Sequence, residues 1–255
     1  MERRKEDKNY IYGIRSIIEA IESGEEIDKI LIRNNLNGEL YKELSDLIKN
    51  RDIPVQRVPE EKLNRITRKN HQGTIAFISP VRYYKLEDLV TTLYEEGSIP
   101  FFIVLDGITD TGNFGAIART ATCAGVDAIV IPEKGSVSVT PASIKTSAGA
   151  LFHIPVCRCK SVREAIKLLK ENGIKIVGAS EKASELFTKT DFTVPVAIVM
   201  GAEDTGISQD ALKMCDELVS IPMMGDVASL NVSVAAGVMM YEAVMQRLRM
   251  GMEMQ

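Results

Sequence analysis

Histidine is scarce in this chain of 255 residues: there are two, His71 and His153. No G-x-S-x-G elbow accompanies them, which argues against a Ser-His-Asp hydrolase. Cysteine is sparse as well. Cys123, Cys157, Cys159 and Cys215 form no spaced framework, which suits a reduced compartment. Cys157-Arg-Cys159 has a single residue between its thiols and no second pair nearby. It reads as an ordinary strand or loop pair, and no metal is expected. No apolar run approaches the roughly 18–20 residues of a membrane span. The opening MERRKEDKNY has no apolar centre of the signal-peptide kind. These features predict a cytoplasmic protein with no membrane partner. Gross basicity is missing too, because the net charge is −4. Internal repeats and low-complexity tracts are absent.

What is present is ordinary for a globular chain: 45% apolar and 26% charged residues, enough for a sizeable core. The length allows two domains or one large one. Charge is unevenly spread. Residues 1–80 hold 15 Lys/Arg against 14 Asp/Glu, and the remainder 16 against 21. Within the first part, Lys62 to His71 carries four basic residues and no acid. Such a patch either grips phosphates or is a solvated helix face.

The periodicity predicts a small α/β domain over residues 1–80. Residues 10–23 read as one helix with Ile14, Ile17, Ile18 and Ile21 on one side, stopped by Gly24. A strand over Asp28–Arg33, a helix over Glu39–Lys49 and a strand over Pro54–Val58 follow. Pro59 then opens a helix in its first turn, and Gly73–Ser79 is a closing strand. Residues 81–98 form a linker with a short helix over Leu86–Tyr94. The second domain, 99–255, alternates five apolar strands (Phe101–Leu105, Ala128–Ile131, Lys175–Ala179, Ala197–Met200, Leu218–Ile221) with helices. These helices span Phe114–Ala124, Pro141–Ala150, Val162–Asn172, Ser208–Met214 and Val232–Leu248. This pattern predicts an α/β fold, a mostly parallel sheet with helices on both faces.

Two of those strands run into Gly-bearing loops, at Gly201-Ala202-Glu203-Asp204-Thr205-Gly206 and at Pro222-Met223-Met224-Gly225. Ser229-Leu230-Asn231 then leads into the last helix. Ligands of open parallel sheets sit beyond the carboxyl ends of strands, so this stretch predicts a small-molecule pocket built largely from main chain. Gly107 and Gly112 have the spacing of a P-loop, but Asn113-Phe114 replaces the required Lys-Ser/Thr. The dinucleotide pattern G-x-G-x-x-G also fails, which argues against a doubly wound oxidoreductase. A polar set remains: Asn113, Arg119, Glu203, Ser229 and Asn231. Singly, the two asparagines read as helix N-caps, Arg119 as a surface charge and Glu203 as a turn cap. Collectively they cluster at or just beyond predicted strand ends.

Three blocks carry a resemblance. LDGITDTGNFGAIARTATCAGVDAIVIP (Leu105–Pro132), IVMGAEDTGIS (Ile198–Ser208) and IPMMGDVASLNVSVAAGVMMYEA (Ile221–Ala243) resemble, in order, the three signature motifs of the SpoU-type (TrmH-like) 2′-O-ribose RNA methyltransferases of the SPOUT superfamily. YGIRSIIEAIES (Tyr12–Ser23, with Tyr10 and Ile11 before it) and HQG (His71–Gly73) resemble the substrate-binding domain of the bacterial 23S rRNA guanosine-2′-O-methyltransferase branch.

The resemblance implies S-adenosylmethionine as cofactor, RNA as partner, a C-terminal trefoil knot and a homodimer whose site draws on both protomers. The first domain would be a small α/β RNA-binding one. By the same resemblance Asn113, Arg119, Glu203, Ser229 and Asn231 are the catalytic set, and Gly201, Ile221, Met223 and Leu230 hold the cofactor through main chain. The implied reaction is methyl transfer to a ribose 2′-hydroxyl, in 23S rRNA first and tRNA second. A non-catalytic RNA-binding ribosome-assembly factor is the rival. Arg119 is the family's candidate at the hydroxyl, although arginine is effectively always protonated, so the proton acceptor stays open. On a helix, Asn113 and Arg119 would lie about 9 Å apart along the axis, which fits a site completed across a dimer interface. The stripe Ser233, Ala236, Gly237, Met240 serves either that interface or packing within the chain. Arg65, Arg68, Lys69, His71 and Gln72, with Arg15 as an addition, are the candidate RNA grip. Sequence-specific RNA recognition favours unpaired loops, so a hairpin or loop is the expected target.

Overall fold

The computed structural model describes residues 9–51 and 53–253. Residues 1–8 and 52 of the expected first domain, and 254–255 of the expected second, lie outside the described residues. The chain divides into two compact units. One runs through Arg82 and includes 138–140; the other comprises Tyr83–Val137 and the chain from Pro141 onward.

In the first unit the order is β1 (Tyr10–Tyr12), α1 (Ile14–Glu22), β2 (Ile27–Arg33), α2 (Glu39–Asn50), β3 (Val55–Val58), α3 (Glu60–Ile66) and β4 (Thr74–Ile78). The stretch expected as one helix from residue 10 is a strand followed by a helix. Gly13 sits at φ 90° between them, a conformation open to glycine and costly elsewhere. Ahead of it Tyr10, Ile11 and Tyr12 pair antiparallel with Phe77, Ala76 and Ile75. Tyr-Ile-Tyr alternates across a strand, a signal too short to stand out beside the helical run that follows it. Pro59 precedes α3 as its N-cap, in extended conformation, one position before the expected first turn. The sheet order is β1-β4-β2-β3. One face is closed by α1 and α2 over Ile27, Ile30, Ile32 and Ala76. The other carries Leu31, Ile75 and Val58 beneath Leu63 of α3.

The second unit continues with β5 (Tyr83–Tyr84), α4 (Leu86–Glu95), β6 (Phe101–Asp106), α5 (Thr111–Cys123), β7 (Ala128–Pro132), α6 (Pro141–Thr146), β8 (Val156–Cys159), α7 (Val162–Glu171), β9 (Lys175–Ala179), β10 (Glu185–Leu186), β11 (Val196–Gly201), α8 (Gln209–Leu212), β12 (Glu217–Ser220) and α9 (Val232–Glu253). Leu86, Val90 and Leu93 of α4, from the stretch read as a linker, are buried in this unit's core. Eight strands form one sheet, β10-β12-β9-β11-β6-β7-β8-β5, and every pairing in it is parallel. The expected mostly parallel α/β sheet is therefore present, with three more strands than were read. β5 and β10 have two residues each, too few to show a period. β8, VCRC, contains a charge that interrupts an apolar run.

The central strands are buried on both sides, which is why they read as unbroken apolar runs. Phe102, Val104, Val130, Ala197 and Val199 pack with α4, α7 and α8. Phe101, Ile103, Leu105, Ile198 and Met200, which alternate with them, are buried as well. Each such side chain is worth about 1.5–3 kcal/mol when removed from water. α9 packs on β11 and α5. Its far end is held by Arg247, which donates to the carbonyls of Phe192 and Ile99 (3.0 Å each), Val194 (3.1 Å) and Pro100 (3.3 Å). The guanidinium also stacks on Phe101, 4.8 Å from the ring centre.

β8 carries Cys157 and Cys159. Burial pushes both thiols up to about 12, so both are protonated at neutral pH. Among the described residues no group of three or more His, Cys, Asp or Glu side chains comes together, and no helix is long and apolar enough to cross a membrane.

Candidate functional site

β11 enters the sheet between β9 and β6, and Gly201 at its end lies in register with Asp106 at the end of β6. The carboxyl ends of β9, β11 and β12 lie side by side on this half of the sheet, the edge at which open parallel sheets take their ligands. A cleft of about 240 Å³ opens there. It is lined by Met200–Ile207 after β11, Ile221 and Met223 after β12, and Ser229, Leu230 and Val232 at the head of α9. All four expected cofactor-holding residues, Gly201, Ile221, Met223 and Leu230, are on its wall, with Glu203 and Ser229.

The loop after β11 is closed on itself. Gly206 N–H donates to the Ala202 carbonyl at 2.8 Å and Ala202 N–H returns to the Gly206 carbonyl at 3.2 Å. A Cβ added at Gly201 would land in the main chain of Gly206 and Ile207, so the loop can fold back this tightly only over glycine. Asp106 fastens the base of the loop by accepting from Ser208 N–H at 2.8 Å.

Three of the expected catalytic residues meet at one amide. Asn231 Nδ2 donates to Asn113 Oδ1 at 3.0 Å and to Glu203 Oε1 in a very short contact. Its Oδ1 accepts from the Ser233 N–H at 2.9 Å and hydroxyl at 2.6 Å. Both hydrogens and both lone pairs of the amide are thereby used. Asn231 is thus the N-cap of α9 as well as the joint between the three motif blocks. Glu203 Oε1 also faces the Val232 N–H at 3.5 Å. An aspartate at 231 would turn an oxygen toward two acceptors, so the amide is required chemically.

Asn113 is not a cap. α5 begins two residues earlier because Asp110 Oδ1 accepts from the Asn113 N–H at 2.7 Å, which leaves the Asn113 side chain free to reach Asn231. Arg119 is not brought to this node. It lies on the same helix six residues on, about 9 Å along the axis and about 120° around it. It is exposed, and no ion pair or hydrogen bond to it is seen among the described residues. The stripe Ser233, Ala236, Gly237, Met240 faces inward: Ala236 and Met240 are fully buried, and Gly237 lies against Thr120 of α5. The outward face of α9 shows instead Val234, Tyr241, Met245 and Leu248, each 44–51% exposed.

The sequence reading missed one wall of the cleft, Ala179-Ser180-Glu181-Lys182 after β9. These residues carry no glycine and no motif. Their only signal was position at the carboxyl end of a parallel strand.

In the first unit the expected RNA-gripping residues separate into two kinds. His71 is buried. Its Nδ1 accepts from the Gly73 N–H at 3.0 Å, so Nε2 carries the proton and donates to Asn64 Oδ1 at 3.1 Å. Gln72 Oε1 accepts from the Ile14 N–H at 3.1 Å, satisfying a free donor at the start of α1. Both side chains are engaged in holding the fold. Arg65, Arg68 and Lys69 are exposed. Arg15 is a surface residue 3.9 Å from Glu43.

Known proteins give this geometry a setting. Residues 100–241 match the SpoU rRNA Methylase family, and residues 10–84 match the RNA 2′-O ribose methyltransferase substrate binding family. A Bacillus subtilis protein, YacO, named for the TrmH family tRNA/rRNA methyltransferases, is 36% identical over 95% of this chain and 98% of its own length. Among solved structures, the SpoU methyltransferase AviRb of Streptomyces viridochromogenes in complex with the cofactor AdoMet is similar, with TM-score 0.57 and 25% identity. That match covers 94% of this chain and 90% of AviRb. An AdoMet-bound rRNA methyltransferase of Sinorhizobium meliloti gives TM-score 0.58 and 25% identity over 94% and 88% of the two chains. On this sequence and this fold, the chain belongs to the SpoU rRNA methylase family of RNA methyltransferases, with that family's substrate-binding module ahead of it.

Proposed function

We propose that the protein methylates a ribose 2′-hydroxyl of structured RNA, a guanosine of 23S rRNA, with S-adenosylmethionine as donor, in the cytoplasm. The observation that carries this reading is the convergence of Asn113, Glu203 and Asn231 on one amide beside the cleft. The cleft suits the donor: apolar residues such as Met200, Ile207, Leu212 and Ile221 line it together with a few polar ones, the usual design for a small-molecule pocket. When bound, S-adenosylmethionine supplies an electrophilic methyl group. Main chain at Gly201, Ile221, Met223 and Leu230 holds it. Asn231 and Glu203 keep the two pocket loops and the head of α9 in one arrangement, so that positioning provides much of the acceleration. Ser229 lies on the same wall and belongs to the catalytic set.

Arg119 acts on the ribose, stabilising negative charge as the hydroxyl loses its proton. Its exposure and its turn away from Asn113 support a role in the site of a second copy, which makes the working enzyme a homodimer. The apolar outer face of α9 supplies the surface for that contact. The insertion of β11 between earlier strands and the passage of 221–231 beside the 202–206 loop support a threaded, knotted carboxyl-terminal segment. An RNA-binding role for the first domain and a methyltransferase role for the second belong to the same reading, as does the RNA grip at Arg65, Arg68 and Lys69.

The test is methylation of 23S rRNA and tRNA transcripts with labelled donor, followed by mapping of the modified ribose. Label at one guanosine ribose of 23S rRNA is the expected result. Label confined to tRNA would overturn the substrate, and donor binding without any transfer would favour the assembly-factor reading.

A further inference from the structure

Among the described residues, the second face of the first unit's sheet is only partly covered. Register sets Tyr10 beside Phe77 and Phe77 beside Lys29 on that face. The next row is Tyr12, Ile75 and Leu31. Leu63 of α3 closes over Leu31, Ile75 and Val58. α3 has seven residues, about 10 Å of helix, against a four-stranded sheet about 14 Å across between its outer strands. The row Tyr10–Phe77–Lys29 and the edge residue Tyr12 stay partly exposed.

The chemistry of that open end is aromatic and cationic. The rings of Tyr10 and Phe77 stand 6.1 Å apart at 57°. Lys29 Nζ lies 5.3 Å from the Phe77 ring centre, and Lys69 Nζ 5.8 Å from that of Tyr12. Tyr10 donates its hydroxyl proton to the Ile66 carbonyl at 3.2 Å, which joins the platform to the end of α3, where the exposed Arg65, Arg68 and Lys69 begin. Rings flanked by ammonium groups suit a polyanion that also presents flat apolar faces.

We propose that this open end of the sheet, Tyr10, Tyr12 and Phe77 with Lys29 and Lys69, is a stacking platform for unpaired bases of the RNA substrate. The inference rests on the RNA methyltransferase reading and adds to it which face of the substrate-binding module takes the RNA and in what form. Bases in a duplex are already stacked and cannot lie on these rings, whereas a loop or single strand can.

The experiment uses the full chain and a single-stranded RNA of about twelve nucleotides, within the usual range of site sizes, with a blunt duplex RNA as comparison. Tyr12→Leu and Phe77→Leu should each weaken binding of the single strand by about 5- to 100-fold without altering its salt dependence. Lys69→Gln should weaken it and lower the salt slope by about one. The chain contains no tryptophan, so Phe77→Trp places a single indole in the platform. It keeps an aromatic ring there should the leucine variants unfold. Its emission should be quenched by the single strand and not by the duplex. Unchanged emission at saturating RNA, or leucine variants that fold and bind as the parent does, would overturn the platform. If those variants still methylate RNA normally, the platform alone falls; if the parent chain binds no RNA, the methyltransferase reading falls with it.

Discussion

The cleft of the second unit and the basic, aromatic face of the first are built on opposite designs. At the cleft the polar groups hold one another. Asn231 has every hydrogen-bonding position filled from within the chain, and the loop around Glu203 is closed by its own main chain. On the first unit, the arginines at 65 and 68 extend from the surface with no ion pair seen among the described residues. The two members that are held firmly, His71 and Gln72, are held by the fold itself. A small-molecule pocket needs its geometry prepared in advance. A grip on phosphates tolerates side chains that settle on contact, because counterion release depends on charge more than on placement.

The sharpest way to break this contrast is Gly201→Ala. The added methyl collides with main chain that has nowhere to move. Donor affinity measured by calorimetry should fall about 100-fold, with a lowered melting temperature, in line with the upper end of an overpacking cost of about 1–3 kcal/mol. Arg119→Ala comes next: turnover of labelled donor should drop about 100- to 10,000-fold while donor affinity and melting temperature stay as they were. Loss of donor binding in that variant would place Arg119 inside the cleft. Asn231→Asp should weaken donor binding about 10- to 150-fold, because a hydrogen bond to a charged group such as Glu203 is worth about 1.5–3 kcal/mol, and should be no milder than Asn231→Ala.

On the first unit the contrast is sharpened by a pair. His71→Ala orphans the Gly73 N–H and should cost about 1–3 kcal/mol in denaturant unfolding. Arg68→Gln with Lys69→Gln should leave stability unchanged while lowering the salt slope of RNA binding by about two. Equal stability losses in both would erase the distinction between held and free residues.

The smallest effect expected is acidic. The hydrogen bond from Lys175, 2.7 Å away, lowers the carboxyl of Glu217, and one from Thr190 lowers it further. A lowered carboxyl contributes stability above its unfolded value, about 4.3, and loses it as the pH falls through the folded one. The Glu217 side chain is 41% exposed, so solvent screening limits the term to about 0.5 kcal/mol. Glu217→Gln should therefore destabilise slightly at neutral pH and match the parent in acid, as read by urea midpoints at the two pH values.

Several of these features were legible in the chain before its fold. The apolar runs at 101–105, 128–131 and 197–200 announced buried parallel strands because both faces of each are covered. The closed loop at the cleft was visible at Gly201 and Gly206, since glycine is required where main chain folds back on itself. Other features were not. Tyr10–Tyr12 is a strand only because β4 lies beside it, and β5 and β10 are strands only because longer neighbours pair with them. His71 looked like part of a basic patch until its two ring nitrogens were found engaged by Asn64 and Gly73. Asn113 looked like a cap until Asp110 took that position.

Local chemistry therefore determined, from sequence alone, where the glycine-bearing loops fall and which strands form the core, because burial and backbone freedom leave their mark within a few neighbours. Only the tertiary structure decided which of those residues face one another. The Asn231 amide reaches partners 118 and 28 positions away, and no local pattern encodes a contact made across that much chain.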